Sequence, residues 1–273
     1  MGTFKITLFV GLFAVLLSPV LAVAAPSQEM TMIAGGAPLA LGLFLLAGLS
    51  LLLFSHHHAS VTPSEAVERL IIGNQRFMSG ESESPRSDKA TIEKLAEEGQ
   101  DPFVAVLACA DSRVPVENIF DMGFGDIFTI RVAGNVIGPD QLGSLEYAVD
   151  HLGVPLILIL GHTNCGAING AIAASDAQKY DEKHHVNALI KKIVPMVDEL
   201  KENNPGLSKE ELGHRCVNKN IWNNIKELLE HSEHLREMVA QGELNIHGAI
   251  YNIFDGKVHM LGKHREQDKL VNG

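Results

Sequence analysis

The sequence lacks several features that would mark a whole class of protein. Three cysteines in 273 residues are too few for a disulfide framework. Basic residues are also scarce, since 22 of them against 33 acidic residues give a net charge of −11. No basic stripe is present that could neutralise phosphates, and no internal repeat is apparent. These absences argue against a disulfide-stapled scaffold and against a nucleic-acid-binding protein.

Charge is almost absent from the first part of the chain. Residues 1–25 contain one charged side chain, Lys5, and end in small residues that fit the cleavage site of a secretory signal peptide. The alternative is a first membrane helix. Residues 32–54 carry no charge and are long enough to cross a bilayer, which takes about 20 residues. We therefore predict a transmembrane helix at 32–54.

The few flanking charges predict the orientation of this anchor. Lys5 precedes the first apolar run, and Arg69 and Arg76 follow the second. The positive-inside rule then places the rest of the chain in the cytoplasm, attached to a bacterial-type inner membrane. An exported, periplasmic domain is the alternative.

Residues 60–273 read as one α/β domain with a central, mostly parallel β-sheet flanked by helices. Two short runs, 103–108 and 155–161, are apolar throughout, which is typical of strands buried on both faces of a parallel sheet. Further strands are predicted at 126–132, 245–254 and 257–261, and helices at 62–77, 91–98, 141–152 and 167–174. Asp255-Gly256 predicts a two-residue hairpin turn. Pro195 and the turn at 203–206 divide a helical region from 176 to 237.

Two polar motifs follow the two apolar runs. Cys109-Ala-Asp-Ser-Arg113 follows the first and His162-Thr-Asn-Cys165 the second, so both lie at the edge of the sheet where ligands bind. Two cysteines and a histidine are ligands that zinc prefers, and three protein ligands leave a fourth position for water. Zinc bound in this way lowers the pKa of its water to about 7.

Asp111 lies two residues after Cys109 and is the candidate for that fourth position. Arg113 follows at the same spacing and can hold the carboxylate in a bidentate pair. A closed, purely structural zinc site with Asp111 as a ligand is the alternative to a catalytic one. Gly166 opens the next helix, so the backbone N–H groups at its start should face the metal and favour an anion.

The two motifs together resemble the zinc signature of the β-class carbonic anhydrases. The likeness extends from about Thr62 to Leu261, through the segments 73–77, 131–135, 143–149 and 247–251. It implies reversible hydration of carbon dioxide to bicarbonate and a proton. In that family Zn²⁺ would be held by Cys109, His162 and Cys165, Asp111 would orient the nucleophile, and Arg113 would keep Asp111 ionised.

The same resemblance implies a substrate pocket and an oligomer. Gln100 would hydrogen-bond carbon dioxide or bicarbonate, and Phe128, Ala133 and Tyr147 would form apolar walls. Part of this pocket comes from the neighbouring subunit in the family, so the resemblance implies a homodimer or a higher homo-oligomer. On sequence grounds alone, Phe128 and Tyr147 are equally well explained as core residues.

Two other functions are compatible with the motifs. One is hydrolysis of CS₂ or COS on the same fold, and the other is a zinc-holding membrane scaffold without turnover. The intact Asp111–Arg113 pair argues against the scaffold, because a purely structural site has no need of it.

Overall fold

In the computed structural model, which describes residues 61–177 and 184–272, five strands form one sheet in the order β2-β1-β3-β4-β5. The strands are β1 (Val104–Ala108), β2 (Ile127–Arg131), β3 (Leu156–His162), β4 (Asn245–Tyr251) and β5 (Val258–Gly262). β1 pairs in parallel with both β2 and β3, and β3 pairs in parallel with β4. Only the β4–β5 pair is antiparallel among these. The predicted α/β fold with a mostly parallel sheet is confirmed.

Helices occupy most of the remaining described residues. They are α1 (Pro63–Ser79), α2 (Lys89–Glu98), α3 (Val116–Ile119), α4 (Pro139–Leu152), α5 (Gly166–Ala177), α6 (Val186–Asn203), α7 (Lys209–His231), α8 (Glu233–Gln241) and α9 (Gln267–Asn272), with a short 3-10 helix at Ala133–Asn135. α1 begins with a capping box, in which Thr62 and Glu65 satisfy each other's backbone amides. This fixes where the domain's first helix starts.

Helices cover both faces of the sheet. Successive residues of a strand point to opposite faces, so β1 contributes side chains to a cluster on each side. Ala105 and Leu107 of β1 pack into a large apolar cluster with α4, α5, α6, α7 and α8. Val104 and Val106 pack into a smaller cluster with α1 and α3. All five residues of β1 are buried, which explains why its sequence is apolar without alternation.

Helix α7 lies unusually close to the sheet. A Cβ atom added at Gly161 on β3 would come within 2.8 Å of the Ile221 side chain, and one at Gly248 on β4 within 2.7 Å. Real Cβ atoms do not approach so closely, so these two glycines are what allow the helix to dock.

Two local predictions need correction or comment, and one further residue is worth noting. The two-residue hairpin at Asp255-Gly256 is wrong, because β4 ends at Tyr251 and β5 starts at Val258. Asn252 reshapes the connection, since its side-chain oxygen accepts from the Phe254 amide in an Asx turn. Pro195 lies inside α6 and does not end it, because the flanking residues are buried in the core. The third cysteine, Cys216, is a buried thiol.

The structure does not test the predictions for the start of the chain. The signal peptide or first membrane helix at 1–25 and the transmembrane helix at 32–54 lie outside the described residues. Within 61–177 and 184–272, no helix combines the length and the apolarity needed to cross a bilayer.

Candidate metal centre

Cys109, His162 and Cys165 come together at the carboxyl edge of the sheet. β1 and β3 are neighbours, and Ala108 is in register with Leu160, so Cys109 directly after β1 lies near His162 at the end of β3. Their three potential ligand atoms, two sulfurs and a ring nitrogen, lie within 4.8 Å of one another, and all three residues are buried. The sequence prediction that these residues converge is confirmed.

The His162 ring has one nitrogen in use and one without a partner. Nδ1 lies 3.0 Å from the Thr163 carbonyl oxygen, and because a carbonyl can only accept, Nδ1 carries the proton. Nε2 is buried and has no hydrogen-bond partner. Buried polar atoms are rarely left unpaired, and a metal-bound histidine commonly donates its other N–H to a carbonyl. The ring is therefore arranged to offer Nε2 to a cation.

The two cysteine sulfurs are close enough to share a proton. A hydrogen bond from Cys165 lowers the pKa of Cys109 to about 4, although burial opposes this change. The same hydrogen bond, together with burial, raises the pKa of the Cys165 thiol. A zinc ion would replace the shared proton and stabilise both sulfurs as thiolates. The donor set and its geometry thus fit zinc.

Asp111 lies at the rim of this centre, held by Arg113. Arg113 Nε donates to Asp111 Oδ1 at 2.9 Å, and its terminal nitrogen donates to Oδ2 at 2.7 Å and to the Asn164 carbonyl at 3.2 Å. The Arg113 hydrogen bond holds the pKa of the Asp111 carboxyl far below its usual range. Asp111 Oδ2 is 4.0 Å from His162 Nε2, so an ionised carboxylate adjoins the donor set.

The last residue of β2 and the turn after it supply contacts that sequence reasoning missed. Arg131 donates to the backbone carbonyls of Cys109 (3.1 Å) and Asp111 (2.6 Å). The Gly134 amide donates to Cys109 Sγ at 3.2 Å, with Gly134 at φ 74°. The signal in the sequence was this glycine in the segment 131–135, because a left-handed turn favours glycine.

The start of α5 lies beside Cys165. Gly166 is its first residue, and the amides of Ile168 and Ala167 donate towards the Cys165 sulfur. These N–H groups have no partner within the helix, and the positive end of the helix dipole favours negative charge there.

The predicted pocket residues divide into two groups. Ala133 begins the 3-10 helix that carries Gly134 and so adjoins the centre. Phe128 is in register with Ala105, about 13 Å before Cys109 at the usual strand rise. Its ring lies 6.0 Å from that of Tyr147, which is exposed.

Gln100 also lies far from its own chain's centre. It is an exposed residue preceding β1, at the opposite end of that strand from Cys109. The structure therefore brings Ala133 and Gly166 to the donor set and leaves Gln100, Phe128 and Tyr147 away from it.

Comparison with known proteins agrees with the resemblance of the motifs. The family model for carbonic anhydrase matches residues 104–258. Carbonic anhydrase 2 of Mycobacterium tuberculosis is 38% identical over 199 residues, which cover 72% of this chain and 92% of that protein. The carbonic anhydrase of Mycolicibacterium smegmatis is 35% identical over 201 residues, covering 72% and 93%.

Solved structures show the same likeness in three dimensions. The β-carbonic anhydrase CcaA superposes with a TM-score of 0.56 at 30% identity, covering 71% of this chain and 94% of that one. A β-carbonic anhydrase from Sordaria macrospora, described as tetrameric, gives a TM-score of 0.56 at 28% identity, covering 63% and 85%.

Proposed function

The chain belongs to the β-class carbonic anhydrases, zinc enzymes that hydrate carbon dioxide reversibly to bicarbonate and a proton, and we propose that its reaction takes place at Cys109, His162 and Cys165. This assignment rests on one observation. Their three ligand atoms lie within 4.8 Å of one another, and one of them, His162 Nε2, is buried without a partner. Zinc bound there would supply a water whose pKa is lowered towards about 7, which makes it a nucleophile at neutral pH.

The residues around the ligands orient the reaction. Asp111 accepts a hydrogen bond from the attacking water and aims it at the carbon of carbon dioxide. Arg113 keeps Asp111 ionised and turned to the rim, because it donates to both carboxylate oxygens. The released proton passes to solvent, and the N–H groups at the start of α5 favour the bicarbonate anion. With Asp111 held by Arg113, Cys109, His162 and Cys165 would be the three protein ligands of a zinc ion, and a fourth position would remain for water.

We further propose that the substrate pocket is completed by a second copy of the chain. Gln100, Phe128 and Tyr147 lie away from their own centre, although the family resemblance assigns all three to the pocket. Tyr147 is 45% exposed and its ring adjoins that of Phe128. A partner subunit could receive this aromatic pair beside its own zinc ligands. A homodimer is then the smallest complete enzyme, with higher oligomers built from it.

For the start of the chain we propose membrane attachment through 32–54, with 60–273 as the catalytic domain on the cytoplasmic side. The support is the charge-free apolar run and the flanking basic residues. The full-length protein should resist extraction from membranes by alkaline carbonate. Digestion of the domain by protease in intact spheroplasts would place it on the periplasmic side instead.

The proposed site is tested by exchanging cysteines in the full-length chain. Cys165→Ser should lose both zinc and carbon dioxide hydration, measured by elemental analysis and stopped-flow assay. Cys216→Ser is the matched control, because Cys216 is equally buried but lies outside the donor set. It should keep both properties. Stoichiometric zinc in a chain lacking both Cys109 and Cys165 would overturn the assignment.

A further inference from the structure

The turn that carries Gly134 holds an unusual backbone conformation beside the metal centre. Gly134 has φ 74° and Asn135 has φ 43°. Glycine tolerates this left-handed region, and asparagine tolerates it better than most other residues. Neither residue type is restricted to the left-handed region, so the turn can adopt other backbone conformations. The hydrogen bond from the Gly134 amide to Cys109 Sγ exists only while the turn keeps this shape.

Two asparagines on α7 hold the turn from outside. Asn220 Nδ2 donates to the Gly134 carbonyl at 3.0 Å, and Asn224 Nδ2 donates to the Asn135 carbonyl at 3.0 Å. Asn224 also accepts from the Ile137 amide at 3.3 Å through its side-chain oxygen. The two asparagines are four residues apart and so lie on one face of the helix. Together they fix the two successive carbonyls that follow the Gly134 amide.

These asparagines are buried in a mainly apolar cluster. Asn220 is 6% exposed and Asn224 is 3% exposed. Burying an amide is unfavourable unless it is hydrogen-bonded, and an aliphatic side chain at either position would pack without that cost. Their presence is explained by three hydrogen bonds, two to the turn and one to the Ile137 amide that follows it.

The helix that carries them is itself fixed relative to the histidine ligand. Ile221, next to Asn220, packs where Gly161 and Gly248 leave room on β3 and β4. Gly161 directly precedes His162. One helix therefore docks against the strand that ends in the histidine ligand and holds the turn that contacts a cysteine ligand.

We propose that Asn220 and Asn224 are positioning residues for the zinc centre, which hold the Gly134 N–H against the Cys109 sulfur. A hydrogen bond to a metal-bound thiolate withdraws charge from the sulfur and so reduces its donation to the metal. The asparagine pair thereby sets the electronic character of one zinc ligand without touching the metal. This inference rests on the zinc function proposed above.

The test replaces zinc by Co²⁺ in the full-length enzyme and records the sulfur-to-cobalt absorption band. In Asn220→Ala and in Asn224→Ala the band should move to longer wavelength, because the sulfur electrons are no longer stabilised by the N–H group. Affinity for zinc, measured by chelator competition, should fall roughly 10- to 100-fold, because the released turn no longer holds the Cys109 side chain in its ligating position. Asn218→Ala is the control, since position 218 of the same helix lies about 160° around the axis from 220 and about 120° from 224. It should match wild type in both measurements.

Wild-type protein provides a measurement that needs no variant. With ¹¹³Cd in place of zinc, the Gly134 amide proton should show a scalar coupling to the metal through the N–H···S bond. Absence of this coupling, or an unchanged cobalt band in both asparagine variants, would overturn the inference. If the variants do not fold, the coupling decides. A wild-type chain that binds no zinc would instead refute the proposed function.

Discussion

At the scale of single residues, the sequence could predict two kinds of contact: those between neighbours in the chain and those between the ends of adjacent strands. Asp111 and Arg113 are two positions apart, and their pairing in the structure needs no other element. Cys109 and His162 are far apart in the chain, but parallel strands end at one edge of a sheet. Their meeting therefore followed from recognising two buried strands.

The contacts that escaped prediction join residues with no local relation. The Gly134 amide reaches a sulfur 25 positions away, and Asn220 reaches a carbonyl 86 positions away. Both contacts depend on how α7 docks against the sheet. An asparagine in a helical pattern looks the same whether it faces solvent or a buried turn, so periodicity could not reveal its partner.

Asp111→Asn tests the orienting role of the carboxylate. The substitution keeps the size of the side chain, but it removes the charge and one of the two acceptor oxygens. We expect zinc to remain bound and hydration to fall by roughly 10²-fold or more, as for other positioned acid–base groups. Stopped-flow rates and zinc content measure this. Asp140→Asn, at an exposed position in α4, is the control and should keep full activity. An equally active Asp111→Asn enzyme with zinc bound would remove Asp111 from the mechanism.

At the scale of helices and strands, long or strongly apolar segments were predictable and short ones were not. β1 and β3 begin and end within about one residue of the predicted runs, because their burial on both faces leaves an unbroken apolar signature. The helices α3 and α9 and the 3-10 helix at Ala133–Asn135 were missed. A segment of three to six residues is too short to show a period of 3.6 residues clearly.

A pair of glycine substitutions tests which helix contacts are tight. A Cβ atom at Gly73 of α1 would lie 1.8 Å from the Phe120 carbonyl oxygen, whereas one at Gly143 of α4 has no neighbour within 4 Å. Gly73→Ala should lower the free energy of unfolding by about 1–3 kcal/mol or more, because the backbone must shift. Gly143→Ala should leave it unchanged or raise it by up to about 1 kcal/mol, since alanine favours a helix. Urea unfolding compares them, and shifts of the same sign would refute the packing argument.

At the scale of the whole molecule, one chain holds the three donor residues together, whereas three of the residues that we propose for the pocket lie away from them. Cys109, His162 and Cys165 converge within a single copy. Gln100 and Tyr147 are exposed and lie elsewhere. No pattern in one sequence reports which surface of a second copy will cover another, so the sequence implied the shared pocket only through its resemblance to a family.

Complementation between two inactive chains tests that shared pocket. One chain carries Cys165→Ser and keeps Gln100 and Tyr147. The other carries Gln100→Ala with Tyr147→Ala and keeps its metal ligands. If the pocket groups act on the partner's centre, a mixed dimer contains one wild-type site. Random pairing of equal amounts then restores roughly a quarter of wild-type activity per chain.

The control for this experiment combines two substitutions, each of which disables the metal centre of the chain that carries it. Co-expressing Cys165→Ser with Asp111→Asn should restore nothing, because neither site of a mixed dimer is intact. Differently tagged chains allow the mixed dimers to be purified and assayed for stopped-flow hydration. If purified mixed dimers of the first pair are as inactive as this control, Gln100 and Tyr147 do not act across the interface. The pocket would then have to be completed by residues of the same chain, which would need to move more than about 10 Å along the sheet to reach Cys109.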